Sequence, residues 1–156
     1  NSPAEERSMT DSNNSSSEEA PFQIRAASRD DIPQLERLVD HFVTANRLLP
    51  RTFDELCDLI PFGFVAETNG QIVGFGALEI YSAKLAEIRS LAVHESHQGK
   101  GIGRALVEQC VELARHRNVL EVMAITSADG FFRVCGFDFT LPGEKKALFM
   151  QTRDEY

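Results

Sequence analysis

Three glycines in five residues, Gly99, Gly101 and Gly103, separate a short apolar strand from a long amphipathic helix in the stretch IRSLAVHESHQGKGIGRALVEQCVELARHRNV. A strand, a glycine loop and a helix in that order commit the chain to a β–loop–α unit with a binding site at the loop. Residues without a Cβ let the backbone of Gln98, Gly99, Lys100, Gly101, Ile102 and Gly103 turn its N–H groups inward. The helix behind the loop points the positive end of its dipole at the same place, which favours an anion. A phosphate-bearing ligand is therefore expected there. Spacing excludes two common phosphate loops. No G-x-x-x-x-G-K-S/T occurs, and G-x-G-x-x-G would need glycine at Arg104 or at Leu106.

The rest of the pattern alternates strands and helices. Residues 22–26 read as a strand. Asp30 or Asp31 caps a helix with Pro33 in its first turn and an apolar stripe of Ile32, Leu35, Leu38, Val39, Phe42 and Val43. Thr52 and Glu55 form a capping-box pattern opening a short helix that runs to Ile60. Strands over 64–68 and 72–80 are joined by Asn69-Gly70, a dipeptide suited to a two-residue hairpin. A strand over 87–93 precedes the glycine loop. A helix over 103–115 follows it, with Leu106, Val107, Cys110, Val111 and Leu113 turned inward. Beyond it the pattern predicts a strand over 121–126, a short helix over 129–134, and strands over 137–141 and 147–152. Such a chain is an α/β sandwich, with a mixed, mostly antiparallel central sheet flanked by helices.

Residues 1–20 stand apart from this pattern. They hold no aromatic or β-branched aliphatic side chain and cannot bury enough apolar surface to offset chain entropy. A disordered, acidic, serine-rich tail ahead of one domain over 21–156 is expected. Glu5, Glu6, Asp11, Glu18 and Glu19 against Arg7 alone place half of the formal net charge of −8 in that tail. The domain is then only mildly acidic, which disfavours nucleic acid as a partner, since phosphate backbones need a basic surface. No apolar run approaches the ~20 residues of a membrane span, and no signal-peptide core is present, so no membrane role is expected. Cys57, Cys110 and Cys135 are odd in number and widely spaced, which signals neither a disulfide framework nor zinc and fits a cytoplasmic location. His94 and His97 lie three apart, but HESH is not H-E-x-x-H, so they read as solvated loop histidines and no metal is expected.

One spacing remains at the loop: Q-x-x-G-x-G, from Gln98, Gly101 and Gly103. It resembles the acetyl-CoA loop of the GNAT N-acetyltransferase superfamily, with the flanking strand and helix where that family has them. The stretch Phe131-Phe132-Arg133-Val134-Cys135-Gly136-Phe137 is similar to the family's F-x-x-x-G-F ending, and the resemblance extends over residues 22–156. It implies a GNAT fold and acetyl-CoA as co-substrate. The pyrophosphate would be held by the N–H groups of Gln98, Gly99, Lys100, Gly101, Ile102, Gly103 and Arg104. The pantetheine arm would be held by the backbone of Leu91, Ala92 and Val93. Acetyl transfer to an amine needs a base and an oxyanion donor. Ala86-Glu87-Ile88 matches the strand start whose glutamate acts as base in several GNAT enzymes; a salt bridge at a strand end is the plainer reading of Glu87. Strand alternation puts Arg89 on the same face, and close pairing would hold the carboxylate ionised and make it a poorer base. Many members carry a tyrosine in the helix before G-F that protonates the leaving thiolate. Here that position holds Phe132, and Ser127, Tyr81 and Cys135 are the substitutes, with Cys135 better read as a small buried hydrophobe.

Leu48-Leu49-Pro50-Arg51-Thr52, the segment Ile125-Thr126-Ser127 and the ending Leu141-Pro142-Gly143-Glu144-Lys145-Lys146-Ala147-Leu148-Phe149 resemble the acetyltransferase domain of N-acetylglutamate synthase. Ala128 replaces the arginine of that family's T-T-R strand end. The resemblance implies a small-molecule amine acceptor, L-glutamate, and a place in arginine biosynthesis. Two carboxylates on the acceptor call for two cations, preferably forked guanidiniums. Arg51 matches the arginine that holds the amino acid's carboxylate, while Lys84 and Arg153 match further basic positions. Arg89 is a candidate from strand alternation alone. The rivals are a GNAT enzyme for another small or protein amine, which an acidic pocket would favour, and a non-catalytic acyl-CoA-binding module. Either a monomer or a homodimer is compatible with the sequence.

Overall fold

A computed structural model describes residues 22–45, 48, 50–139 and 147–154. The tail over 1–20, the ending over 141–146 and Leu49 lie outside the described residues. Strand β1 (Gln23–Ala26) leads through a 3-10 turn (Arg29–Asp31) into helix α1 (Ile32–Thr44), which buries Ile32, Leu35, Leu38, Val39 and Phe42. Asp31 stands at the N-cap position, but its carboxylate turns back instead. It accepts the Ser28 N–H at 2.8 Å and both terminal nitrogens of Arg25 at 2.8 Å. Arg25 also reaches Glu67 at 2.7 Å, so the cluster ties β1 to the start of α1.

The Arg25 hydrogen bond, above all, holds the nearly buried Asp31 carboxyl below the usual carboxylate range. A depressed folded pKa gives stability that is present above the unfolded value and lost as pH falls through the folded one. Asp31→Ala should therefore cost roughly 1–3 kcal/mol at neutral pH, the scale of a charged hydrogen bond. Urea unfolding should show the deficit shrinking in strong acid.

Thr52 caps α2 (Phe53–Leu59) by accepting the Glu55 N–H at 3.1 Å. Strands β2 (Gly63–Thr68) and β3 (Gln71–Ile80) close through Asn69 and Gly70, both at positive φ. Strand β4 (Leu85–Val93), helix α3 (Ile102–His116), strand β5 (Glu121–Met123) and helix α4 (Asp129–Val134) follow. The sheet runs β1-β2-β3-β4-β5, antiparallel except for the parallel β4–β5 pair that α3 connects. Helix α1 covers one face, packing on Val65, Phe75, Ala77 and Ala92. Helix α3 covers the other, against Leu78, Ala86, Ile88 and Phe132. It lies close because Gly74 faces it: a Cβ there would meet Ile102 and Leu106 at 3.1 Å.

The end of the chain departs from the sequence pattern. The strand expected over 121–126 stops at Met123, and Phe137, Asp138 and Phe139 form none. Residues 147–152 are likewise not a strand, and Leu148 and Met150 are 90% and 86% exposed. Alternation makes a segment able to pair, but pairing needs a neighbour. Among the described residues β5 has only β4. No described helix is long and apolar enough to cross a membrane.

Candidate active site

The glycine loop takes the form its composition demands. After β4 a 3-10 turn (Glu95–His97) leads to Gln98, whose side-chain amide donates to the Val93 carbonyl at 3.0 Å. Gly99 and Gly101 lie at φ 81° and 84°, and Gly101 is the N-cap of α3. Gly103 sits under Phe131, whose ring a Cβ would approach to 3.3 Å. Among the described residues no protein acceptor takes the N–H groups of residues 99–104. Six donors at the positive end of a 15-residue helix suit a pyrophosphate.

Gly101→Val strains a left-handed position, and Gly103→Val collides with Phe131. With a backbone penalty of about 1–3 kcal/mol at Gly101, each should weaken acetyl-CoA binding roughly tenfold. The surface change Glu112→Ala should leave it alone. Calorimetry with folded variants checks this.

From the loop, β4 leads inward. It pairs with β5 only at Leu85, Ala86 and Glu87, because β5 ends at Met123. Beyond Glu87 the β5 side of β4 has no strand partner among the described residues, leaving an extended backbone edge past Leu91, Ala92 and Val93. Six residues separate Val93 from Glu87, about 20 Å of strand at ~3.3 Å per residue. Within that stretch Gly76 of β3 faces two residues, Ser90 and Leu91. Ser90 is buried at φ 55°. The bulge inverts the alternation. Ile88 before it and Leu91 after it both pack on the α3 side, while Ala92 packs toward α1.

Glu87, only 7% exposed, points into a hydrogen-bonded cluster. Its Oε1 accepts the Tyr81 hydroxyl at 2.5 Å and lies 3.6 Å from the Arg89 guanidinium. Arg89 is closer to Glu79, at 2.6 Å, and also donates to the Tyr81 oxygen at 3.1 Å. Burial, and then the bond to Glu87, push the Tyr81 phenol up to about 12, so it keeps its proton at neutral pH and serves as a donor. Burial opposes the charge of Arg89, but Tyr81 and the two carboxylates outweigh it and raise its pKa.

Arg51 reaches the same strand from the residue before the α2 cap. Its Nε donates to the Ser90 hydroxyl at 3.2 Å and one terminal nitrogen to Glu55 at 3.3 Å. The bulge and the cap thus aim a half-buried guanidinium at β4 across 39 residues of sequence. Other candidates fall elsewhere. The Lys84 side chain is exposed in the β3–β4 turn, Ser127 is exposed between β5 and α4, and Arg153 is exposed near the end of the chain. Among the described residues none of these three side chains bonds to the Glu87 cluster. Phe132 is buried between Phe131 and Phe137, so no acid stands there. Burial raises the thiol pKa of Cys135, as it does for Cys110, and neither is an activated nucleophile. His94 and His97 share the Ser96 hydroxyl at 2.7 Å each, and no metal-holding group of side chains occurs among the described residues.

Glu79 and Ser90 escape a sequence reading. Glu79 had a usable signal: in a hairpin centred on Ala83 it is the cross-strand partner of Glu87. Ser90 had none, since serine rarely takes a positive φ.

A glycine loop suited to phosphates, an open strand edge leading from it and a buried carboxylate at the far end fit an acyl-CoA-dependent transferase. The chain matches the profile of the acetyltransferase (GNAT) family over residues 30–137 and belongs to that family. It is an acetyl-CoA-dependent N-acetyltransferase. It is 37% identical over 114 residues to an uncharacterized N-acetyltransferase of Chlorobaculum tepidum, covering 73% of this chain and 74% of that one. It is 33% identical over 117 residues to an amino-acid acetyltransferase of Mycobacterium tuberculosis, covering 73% and 67%. Among solved structures, N-acetylglutamate synthase of Neisseria gonorrhoeae, complexed with coenzyme A and N-acetyl-glutamate, superposes with a TM-score of 0.67 at 28% identity. That match covers 74% of this chain and 28% of the synthase.

Proposed function

We propose that this protein transfers acetyl from acetyl-CoA to the α-amino group of L-glutamate, as a step of arginine biosynthesis. The observation that carries the reading is a buried carboxylate on β4 together with a half-buried guanidinium anchored on the same strand. Glu87 lies before the β4 bulge, and Arg51 is anchored on the bulge residue Ser90. Glu87 takes the proton of the attacking amine, directly or through water, as the new C–N bond forms and the C–S bond breaks to release CoA as its thiolate. Arg51 holds a carboxylate of the acceptor. The N–H groups of the glycine loop hold the pyrophosphate, and the edge at Leu91, Ala92 and Val93 holds the pantetheine arm. Arg89 is paired with Glu79 at 2.6 Å, more tightly than Arg51 with Glu55 at 3.3 Å, so the exposed Lys84 and Arg153 are the candidates for the second carboxylate. The names of the mycobacterial and neisserial relatives support an amino-acid acceptor. Three free cysteines suit a reducing compartment such as the cytoplasm.

The opposed carboxylates Glu79 and Glu87 favour a second reading, a cationic amine. An acetyl-CoA-dependent CoA-release assay with glutamate, glutamine, ornithine and lysine side by side separates the two. Glutamate should be the best acceptor. A preference for lysine, ornithine or a polyamine overturns the synthase reading and leaves the acetyl-CoA site standing.

A further inference from the structure

Arg89 stands between two carboxylates and bonds to the one that is not the base. The register sets this up: Glu79 on β3 is paired directly with Glu87 on β4, and Ala77 with Arg89, so all three side chains rise from the same face. Arg89 lies 2.6 Å from Glu79 and 3.6 Å from Glu87. The Tyr81 hydroxyl fills the gap, donating to Glu87 at 2.5 Å and accepting from Arg89 at 3.1 Å. We propose that Glu79 is a positioning residue for acetyl transfer: it holds the Arg89 guanidinium off Glu87, so that Glu87 stays available to take the amine proton.

The inference rests on Glu87 acting as the base. Among the described residues, the charged and titratable groups facing Glu87 are Glu79 from β3, Tyr81 from the β3–β4 turn and Arg89 from β4. Its partner on β5 is the uncharged Met123. Tyr81, with its phenol raised to about 12, carries no charge at neutral pH. The balance at Glu87 is therefore set by one cation and one competing anion. Removing the anion leaves the cation a single carboxylate to pair with. An ion-paired carboxylate is harder to protonate and weaker as a base.

The test is the pH dependence of kcat for Glu79→Gln, which keeps the shape and loses the charge. The plateau should fall roughly three- to tenfold, as expected for a weakened base. The acid limb should move to lower pH by about one unit, the low end of the effect of an arginine beside a carboxylate. A residue that only supports the fold would lower the plateau without moving the limb. Glu79→Asp should bring the limb back toward its original position. In an Arg89→Gln background the further change Glu79→Gln should shift the limb much less. Acetyl-CoA affinity, measured by calorimetry, reports that the variants are folded. An unmoved limb in Glu79→Gln, with Glu87→Gln abolishing the limb, overturns this inference alone. A limb that survives Glu87→Gln overturns the base assignment, and the role of Glu79 falls with it.

Discussion

Glu87→Gln should lower kcat by roughly 10²–10⁴, the range for loss of a general acid or base. The substitution is close to isosteric, and the amide oxygen can still accept the Tyr81 hydroxyl that now bonds to Oε1. The buried geometry is thereby preserved while the ability to accept a proton is lost. Acetyl-CoA affinity should change little, because the loop proposed to hold its pyrophosphate lies at the other end of β4, about 20 Å away along the strand. Steady-state kinetics across the accessible pH range should show the acid limb disappearing with the base. A variant that keeps most of its activity and the same profile would leave a water chain to do the work. Tyr81 is a poor replacement, since a phenol raised to about 12 gives up its proton too rarely near neutrality.

Arg51→Ala should raise the KM for glutamate roughly tenfold to a hundredfold, the equivalent of the 1.5–3 kcal/mol of one charge-assisted hydrogen bond. The guanidinium is held at Ser90 and Glu55, so in the proposed role it would meet the acceptor already oriented. Acetyl-CoA binding should be unaffected. Glutamine keeps the α-carboxylate and loses the side-chain charge, so it should be a poor acceptor for the wild type. Removing the side-chain cation, at Lys84 or Arg153, should narrow that preference. A KM for glutamate unchanged in Arg51→Ala would remove Arg51 from the acceptor site.

Much of this molecule is written in short-range pattern. The stripe from Ile32 to Phe42, the Asn69-Gly70 turn, the Thr52 cap and the helix over Asp129–Val134 each depend on residues a few positions apart. Local sterics and hydrogen bonding decide such features. The glycine loop was legible for the same reason: φ values of 81° and 84° at Gly99 and Gly101 are a property of residues that lack a Cβ.

Contacts between distant segments were decided only in three dimensions. Arg89 could be placed on the face of Glu87 by alternation, but that it bonds to Glu79 in preference depends on the β3–β4 register and on Tyr81 filling the gap. The bulge at Ser90 depends on one extra residue opposite Gly76, and the approach of Arg51 to it spans 39 positions. Asp31, one of the two cap residues the pattern offered, occupies the cap position, yet Arg25 and Ser28 take its carboxylate, because a nearby guanidinium outcompetes a helix N–H. The segment over 147–152 has a short apolar run suited to a strand and, among the described residues, no strand beside it. Sequence by itself determined the glycine loop and the order of the elements from β1 to α4, since those follow from backbone preference and periodicity. Which carboxylate Arg89 pairs with, and which side chains hold Arg51 against β4, only the tertiary structure decided, because a charge answers to whatever the fold brings within a few ångströms of it.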